Sequence, residues 1–329
     1  MARPKIVFIS DQPGTSSAFA PLLARLDGFH FSELRLRSFW GQTPYSQPIE
    51  KASEAFAFIP TADLVITGTS NDLDFHREIW AECKRKKIPS IGYVEQWTNI
   101  PGRFTRDQTF SIMPDVVAVV DAPSAIALTQ AGYDGAVKPV GHPKLEVLSM
   151  SKKIAPANKL IFVSEPYSEL PSAQRTPEFT DDEHTFLDRL LNFIDGSPYE
   201  ELVVRFHPRE DKEKYKEALR RPNKKRITLS SGDDQHMDAG GIFIGLTSIL
   251  LIEASVRGMP AASVLLDSEV ARNSFLNFRK GFTHLKTYDE AHKWLRNPTT
   301  YLDMDFCTKS FERWERLIVA TQKNTTPQR

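Results

Sequence analysis

The sequence predicts a two-domain α/β fold built on parallel sheets, and three observations carry that reading. At 329 residues the chain exceeds what one ordinary hydrophobic core organises, so two domains are expected. Its 40% hydrophobic and 26% charged residues are the balance of a folded protein. Short, wholly apolar runs alternate with longer amphipathic stretches, a pattern that implies strands covered by helices on both faces of a sheet.

The elements follow in order. Ile6-Val7-Phe8-Ile9, Leu64-Val65-Ile66-Thr67, residues 90–94 and residues 116–120 read as buried strands, with helices over 74–86 and 123–131. The same order recurs after residue 158, with strands over 160–163, 202–206, 242–245 and 262–266. A polar stretch over 148–158, broken by Pro156, marks the join between a first domain of residues 1–148 and a second of 149–329. The segment 165–182 is rich in proline and small polar residues. It predicts a long loop at a strand's carboxyl end, where open α/β sheets place ligands. In the last stretch, Phe311, Trp314, Leu317 and Ile318 form one apolar stripe at helical spacing over 306–322. The tail over 324–329 is expected to fray.

Composition also excludes. Lys plus Arg and Asp plus Glu number 42 each, so no whole-protein field gathers nucleic acid or an anionic membrane. The basic run over 220–226 reads first as a solvated loop and allows at most peripheral membrane contact. No run approaches the roughly 18 apolar residues needed to span a bilayer, and the apolar start is too short for a signal-peptide core. Cys83 and Cys307 lie far apart, against a disulfide framework or a Cys-based metal site, and a cytoplasmic protein is the default. The short-spaced acidic groups at Asp72 and Asp74, residues 181–183, and Asp303 and Asp305 do not combine with a His or Cys at metal-ligand spacing and read as solvated helix starts. Neither a bound metal nor a cofactor is expected.

Two segments of the second half carry chemistry. After the strand ending at Gly245, Thr247 and Ser248 are placed to cap the next helix. The free N–H groups and positive helix end there suit a phosphate, with two hydroxyls to add. Glu253, further along, is of a type to accept from ribose hydroxyls. An ordinary capped helix, stopped by Gly258-Met259-Pro260, fits the same residues. Earlier, the strand over 202–206 delivers Arg205, His207 and Arg209 to its edge, and Pro208 stops it. Histidine and arginine there suit phosphate oxygens; a structural turn is the plainer alternative. Glu165, opening the long loop, is a third candidate for the donor side.

In the first half, Glu95-Gln96-Trp97-Thr98-Asn99-Ile100-Pro101-Gly102-Arg103-Phe104 follows a strand directly. Glu95 supplies an acid, and Trp97, Asn99 and Arg103 suit a sugar acceptor. A buried Trp anchoring the loop, with Glu95 paired to Arg103, is the alternative. Asp72 and Asp11 follow two other strands in polar loops that open on the same sheet edge. Gly141-His142-Pro143-Lys144, at the end of the first domain, reads as a hinge turn.

The order Arg-x-His-Pro, strand, then Thr-Ser-x-x-x-x-Glu-Ala-x-x-x-Gly-x-Pro resembles the C-terminal domain of GT-B nucleotide-sugar proteins. It is similar to bacterial sialyltransferases and polysialyltransferases, to CDP-glycerol phosphotransferases and to UDP-N-acetylglucosamine 2-epimerases. The resemblance covers about 159–266. It implies two Rossmann-like domains facing across a cleft, with the last helix returning to the first domain. It also implies phosphate contacts from His207, Thr247 and Ser248. The segment around Glu95 resembles glycosyltransferase-like proteins linked to bacterial surface sugars.

The reaction implied is metal-independent transfer from a nucleotide sugar, leaning to a CMP-linked acidic sugar, onto a saccharide or glycolipid acceptor. Cationic and hydroxyl groups neutralise the leaving phosphate, and a carboxylate activates the acceptor hydroxyl. Glu95 and Asp72, with Asp11 behind them, are the candidates for that base. A UDP-sugar 2-epimerase or hydrolase, and a non-catalytic nucleotide-sugar-binding protein, are the alternatives.

Overall fold

The computed structural model describes residues 3–26, 28–36, 46–70, 73–97, 99–106, 109–166, 168, 183–207, 210–211, 213–220, 222–230, 235–264, 282–299 and 307–323. It divides into two compact units, Met1–Val147 with Asp305–Arg329, and Leu148–Met304.

In the first unit the described strands are β1 (Lys5–Ser10), β2 (His30–Leu36), β3 (Ser46–Ile49), β4 (Leu64–Thr67), β5 (Ser90–Val94), β6 (Val116–Val119) and β7 (Val137–Pro139). They form one sheet in the order β3-β2-β1-β4-β5-β6-β7, and every pairing is parallel. Both faces of β1 are buried. Ile6 and Phe8 pack with Phe19, Leu22 and Tyr93 on one side. Val7 and Ile9 pack with Leu34, Val65 and Ile79 on the other. That double burial is why the strand is apolar throughout. The helix Ser310–Lys323 belongs to this core: the Trp314 ring lies 5.0 Å from both Phe19 and Tyr93.

In the second unit β8 (Lys159–Val163), β9 (Glu201–Arg205), β10 (Arg226–Ser230), β11 (Ile242–Gly245), β12 (Ala261–Val264) and β13 (Thr283–Leu285) run in the order β10-β9-β8-β11-β12-β13. These pairings are parallel too. Leu160, Phe162, Leu202, Val204 and Ile244 pack against Phe186, Leu187 and Leu190 of the helix Glu183–Ile194.

Both sheets reverse their strand order once, between β1 and β4 and between β8 and β11. Loops leaving the two strands at such a point diverge and open a crevice, the usual ligand site of an open α/β sheet. A glycine stands at each crevice. A Cβ on Gly68, just after β4, would lie 2.6 Å from Thr15 Cγ2; one on Gly245, ending β11, would lie 2.8 Å from the Val163 carbonyl oxygen. Neither position has room for a side chain.

Five strands go beyond the sequence expectation. β2 alternates polar with apolar residues, β3 contains Pro48 at the sheet edge, and β7 is largely exposed. None of the three shows the continuous apolar run of a central strand. The edge strand β13 spans three residues. The basic run expected as a loop over 220–226 ends in β10, because Arg226 pairs in register with Glu201. Most of the loop expected over 165–182 lies outside the described residues, as do Leu265 and Leu266.

Candidate functional site

In the second unit the crevice lies between Ser164 and Glu165, after β8, and Leu246, Thr247 and Ser248, after β11. Ser248 caps the helix Ile249–Val256, its side chain accepting from the Leu250 N–H. Ser263 Oγ of the neighbouring strand donates to the Leu246 carbonyl at 2.5 Å and pins the turn from behind. Thr247 turns both donors to Glu165. Its backbone N–H reaches Glu165 Oε2 at 2.6 Å, and its hydroxyl reaches Oε1 at 2.6 Å. Burial pushes the Glu165 carboxyl above its ordinary range, although the donors from Thr247 and Ser248 pull the other way. A carboxylate therefore occupies the Thr247 donors just ahead of this helix end, where an anion could bind.

Beside it, β9 ends at the buried Arg205, and His207 follows two residues later. The His207 backbone N–H donates to Glu210 Oε2 at 2.6 Å. Glu210 Oε1 accepts from Ser164 Oγ at 2.7 Å and from Lys214 Nζ at 2.7 Å. Lys214 also pairs with Glu183 at 2.5 Å, and Ser164 meets the Tyr215 hydroxyl at 2.5 Å. Burial alone would lower the Lys214 pKa, but two carboxylates raise it. This network fixes the turn that carries His207. Glu253 is buried within the helix that Ser248 caps. Arg209 lies outside the described residues.

The first unit's crevice gathers carboxylates. Asp11, at the end of β1, is buried and accepts from Ser70 Oγ of the loop after β4. His76, in the helix Leu73–Lys86, brings Nε2 to 3.2 Å from Asp11 Oδ1 and 3.2 Å from Ser70 Oγ. The group is a closed triangle. In a nucleophile relay the two imidazole nitrogens would face different partners, whereas here one nitrogen serves both. Burial raises the Asp11 pKa, but the charge and hydrogen bond of His76, with Ser70, bring it below the ordinary value.

Glu95, after β5, is the opposite case. It is fully buried, and desolvation raises its pKa; Arg103 and Thr15 pull it down, and the Asp11 charge pushes it further up. Arg103 Nη1 lies 3.7 Å from Glu95 Oε1 and donates to the Thr69 carbonyl at 2.7 Å. Trp97 is buried, its indole N–H donating to Asp121 Oδ2 at 2.8 Å, while Asp121 also caps the helix Ala122–Gln130. Trp97 and Arg103 are thus built into the fold of this loop. Asn99 is exposed, with a left-handed φ of 49°. Asp72 lies outside the described residues.

The structure brings together groups that the sequence left separate: Asp11 with Ser70 and His76, and Glu165 with Thr247. His76, Ser70, Lys214 and Glu210 were not legible as site residues. His76 reads as one more position of an amphipathic helix, and Lys214 as one charge in a polar run. Chemically, one crevice gathers hydroxyl, N–H and cationic groups, with the Thr247 donors and Lys214 engaged by carboxylates. The other holds two carboxyls pushed in opposite directions, Asp11 below and Glu95 above the ordinary value, the asymmetry of acid–base sites.

No family model and no curated protein matches the chain. Among solved structures it is similar to a UDP-N-acetylglucosamine 2-epimerase from Listeria monocytogenes, at 13% identity and a TM-score of 0.65, covering 98% of this chain and 97% of that one. A UDP-GlcNAc 2-epimerase from Neisseria meningitidis, bound to UDP-GlcNAc, matches at 12% identity, 97% and 100% coverage and a TM-score of 0.56. The wall teichoic acid polymerase TagF, with CDPG, matches at 11% identity, 99% and 87% coverage and a TM-score of 0.54. The fold is therefore of the GT-B type, α/β with two parallel sheets. None of these three is a sialyltransferase, and two are epimerases.

Proposed function

We propose that the chain acts on a nucleotide sugar, and within that class is a glycosyltransferase. The second unit binds the donor through its crevice, with His207, Thr247, Ser248 and Arg205 on the phosphates and Glu253 toward the ribose. The first unit supplies the proton acceptor, Glu95. One observation carries this reading: the two crevices have complementary chemistry. One holds donors and cations suited to a leaving phosphate, and the other holds a buried carboxyl with raised proton affinity. A carboxyl with raised proton affinity is suited to take a proton from an acceptor hydroxyl.

A UDP-sugar 2-epimerase is the second reading. Similarity to two such enzymes over 97% or more of the chain favours it, as does the presence of two carboxyls at one crevice.

One assay separates the readings. The purified chain is incubated with CMP-, CDP-, UDP- and GDP-sugars, with and without saccharide acceptors, and products are read by NMR and mass spectrometry. Acceptor-dependent nucleotide release with a new glycosidic bond supports the transferase. Inversion at C2 of a UDP-sugar supports the epimerase. Tight binding with no turnover of any donor contradicts both. Glu95→Gln should then lower turnover by about 10²–10⁴-fold, the range for a lost general base, with donor affinity unchanged; Asp72→Asn is tested beside it.

A further inference from the structure

Asp11 and Glu95 end strands two apart in one sheet, at the first unit's crevice. Their carboxyls differ in every contact. Asp11 accepts a hydrogen bond from Ser70, and His76 Nε2 stands 3.2 Å from its other oxygen; a donor and a nearby imidazole both favour the charged carboxylate. Glu95 faces Arg103 from the short turn Pro101–Arg103 and Thr15 from the helix Pro13–Arg25. Tyr93, from its own strand, and Asp11, from the end of β1, complete the charged and titratable neighbours described around it. The loop after β1 reaches Glu95 directly: a Cβ on Gly14 would stand 3.2 Å from Gln96 Nε2 and 3.9 Å from Glu95 Oε1.

We propose that Asp11 is not a second base but the positioning residue for Glu95. Ser70 and the neighbouring His76 favour its carboxylate form, and its negative charge acts together with burial to favour a proton on Glu95. Two strand spacings put the strand ends that carry the two carboxyls about 9–10 Å apart. At that distance, through protein of effective dielectric constant about 20, one charge moves its neighbour's titration by about one pH unit. The opposed directions at the two groups agree with this division, since burial acts on both while the neighbouring histidine and Ser70 act only on Asp11. The idea rests on Glu95 being the base of the reaction proposed above, but its test does not.

The test follows the Glu95 carboxyl carbon by NMR in the full, substrate-free chain labelled with ¹³C-glutamate. The signal is assigned by its loss in Glu95→Gln. In Asp11→Asn the Glu95 midpoint should fall by about one pH unit. Asp11→Ser, which keeps a hydroxyl for Ser70 and His76, gives the same neutral comparison if the amide variant folds poorly. An unchanged midpoint overturns the proposal, and so does loss of folding in both variants, which would make Asp11 structural. If a donor is turned over, the acid limb of kcat against pH should move down by the same amount in Asp11→Asn, with the plateau within tenfold of the parent. A fall of 100-fold or more at every pH, with the limb unmoved, would make Asp11 a base in its own right. Absence of turnover with any donor defeats the reading of the reaction and leaves the NMR result standing.

Discussion

Glu165 and Thr247 are joined twice, the backbone N–H of Thr247 on one carboxylate oxygen and its hydroxyl on the other, each at 2.6 Å. The carboxylate fills donors at the end of the helix capped by Ser248 that a nucleotide phosphate would use. Phosphate binding then requires Glu165 to release them. Glu165→Gln removes the competing charge and should raise the affinity for a nucleoside diphosphate by about tenfold, a change of ~1.4 kcal/mol. Wild-type affinity should rise as pH falls toward the Glu165 titration, and the variant's should not. Calorimetry at two pH values checks both; weaker binding by the variant would make Glu165 a direct ligand of the donor.

Lys214 holds two buried carboxylates, Glu183 and Glu210. Lys214→Met keeps the length of the side chain and removes the charge, leaving both acids uncompensated. Breaking a buried pair in this way costs about 3–5 kcal/mol, read as a lower urea midpoint. Because Glu210 also accepts from the His207 N–H, nucleotide affinity should weaken in the same variant under conditions where it remains folded.

Trp314 is fully buried against Phe19 and Tyr93. Trp314→Ala should destabilise the first unit by about 3–5 kcal/mol, the usual cost of truncating a buried aromatic. Hydrogen exchange checks the location: amides of β1 and β5 should lose protection, while those of β8 and β11 keep theirs.

His142 is buried beside the helix Pro143–Met150, and its Nδ1 accepts from the Leu145 N–H at 3.3 Å. Burial, with Lys144 nearby, lowers its pKa from 6.5 to about 3. The folded state thus keeps the neutral ring while the unfolded chain takes a proton below pH 6.5. Stability from this group is complete above pH 6.5 and is lost as pH falls toward 3. His142→Asn, which keeps an acceptor for Leu145, should remove one proton from the pH dependence of unfolding across that window. An unchanged slope would mean that His142 is protonated in the folded chain.

The apolar runs located the central strands because both faces of each sheet are covered, so β1, β5, β8 and β11 have no polar side to show. The half-exposed β2 and the edge strands β3, β7 and β13 lack that signal. Ser248 was legible as a cap from its place between a strand and an apolar helix. The partner of Thr247 was not, since Glu165 reaches it only through the pairing of β8 with β11. The same holds for His76, which meets Asp11 only because β4 pairs with β1. Local pattern finds the ends of elements; which ends share a crevice is decided by sheet order.

The proposed donor site is the second unit's crevice, holding the phosphates of a nucleotide sugar. Calorimetric titration of the full chain with UDP, CDP, CMP and GDP tests it most directly, comparing the parent with His207→Ala and with the Thr247→Ala, Ser248→Ala pair. Saturable binding of at least one nucleotide is expected, weakened in each variant by roughly 1.5–3 kcal/mol for each charge-assisted hydrogen bond lost, with circular dichroism unchanged. Binding of equal strength in the parent and both variants, or no binding of any of the four nucleotides, would contradict it.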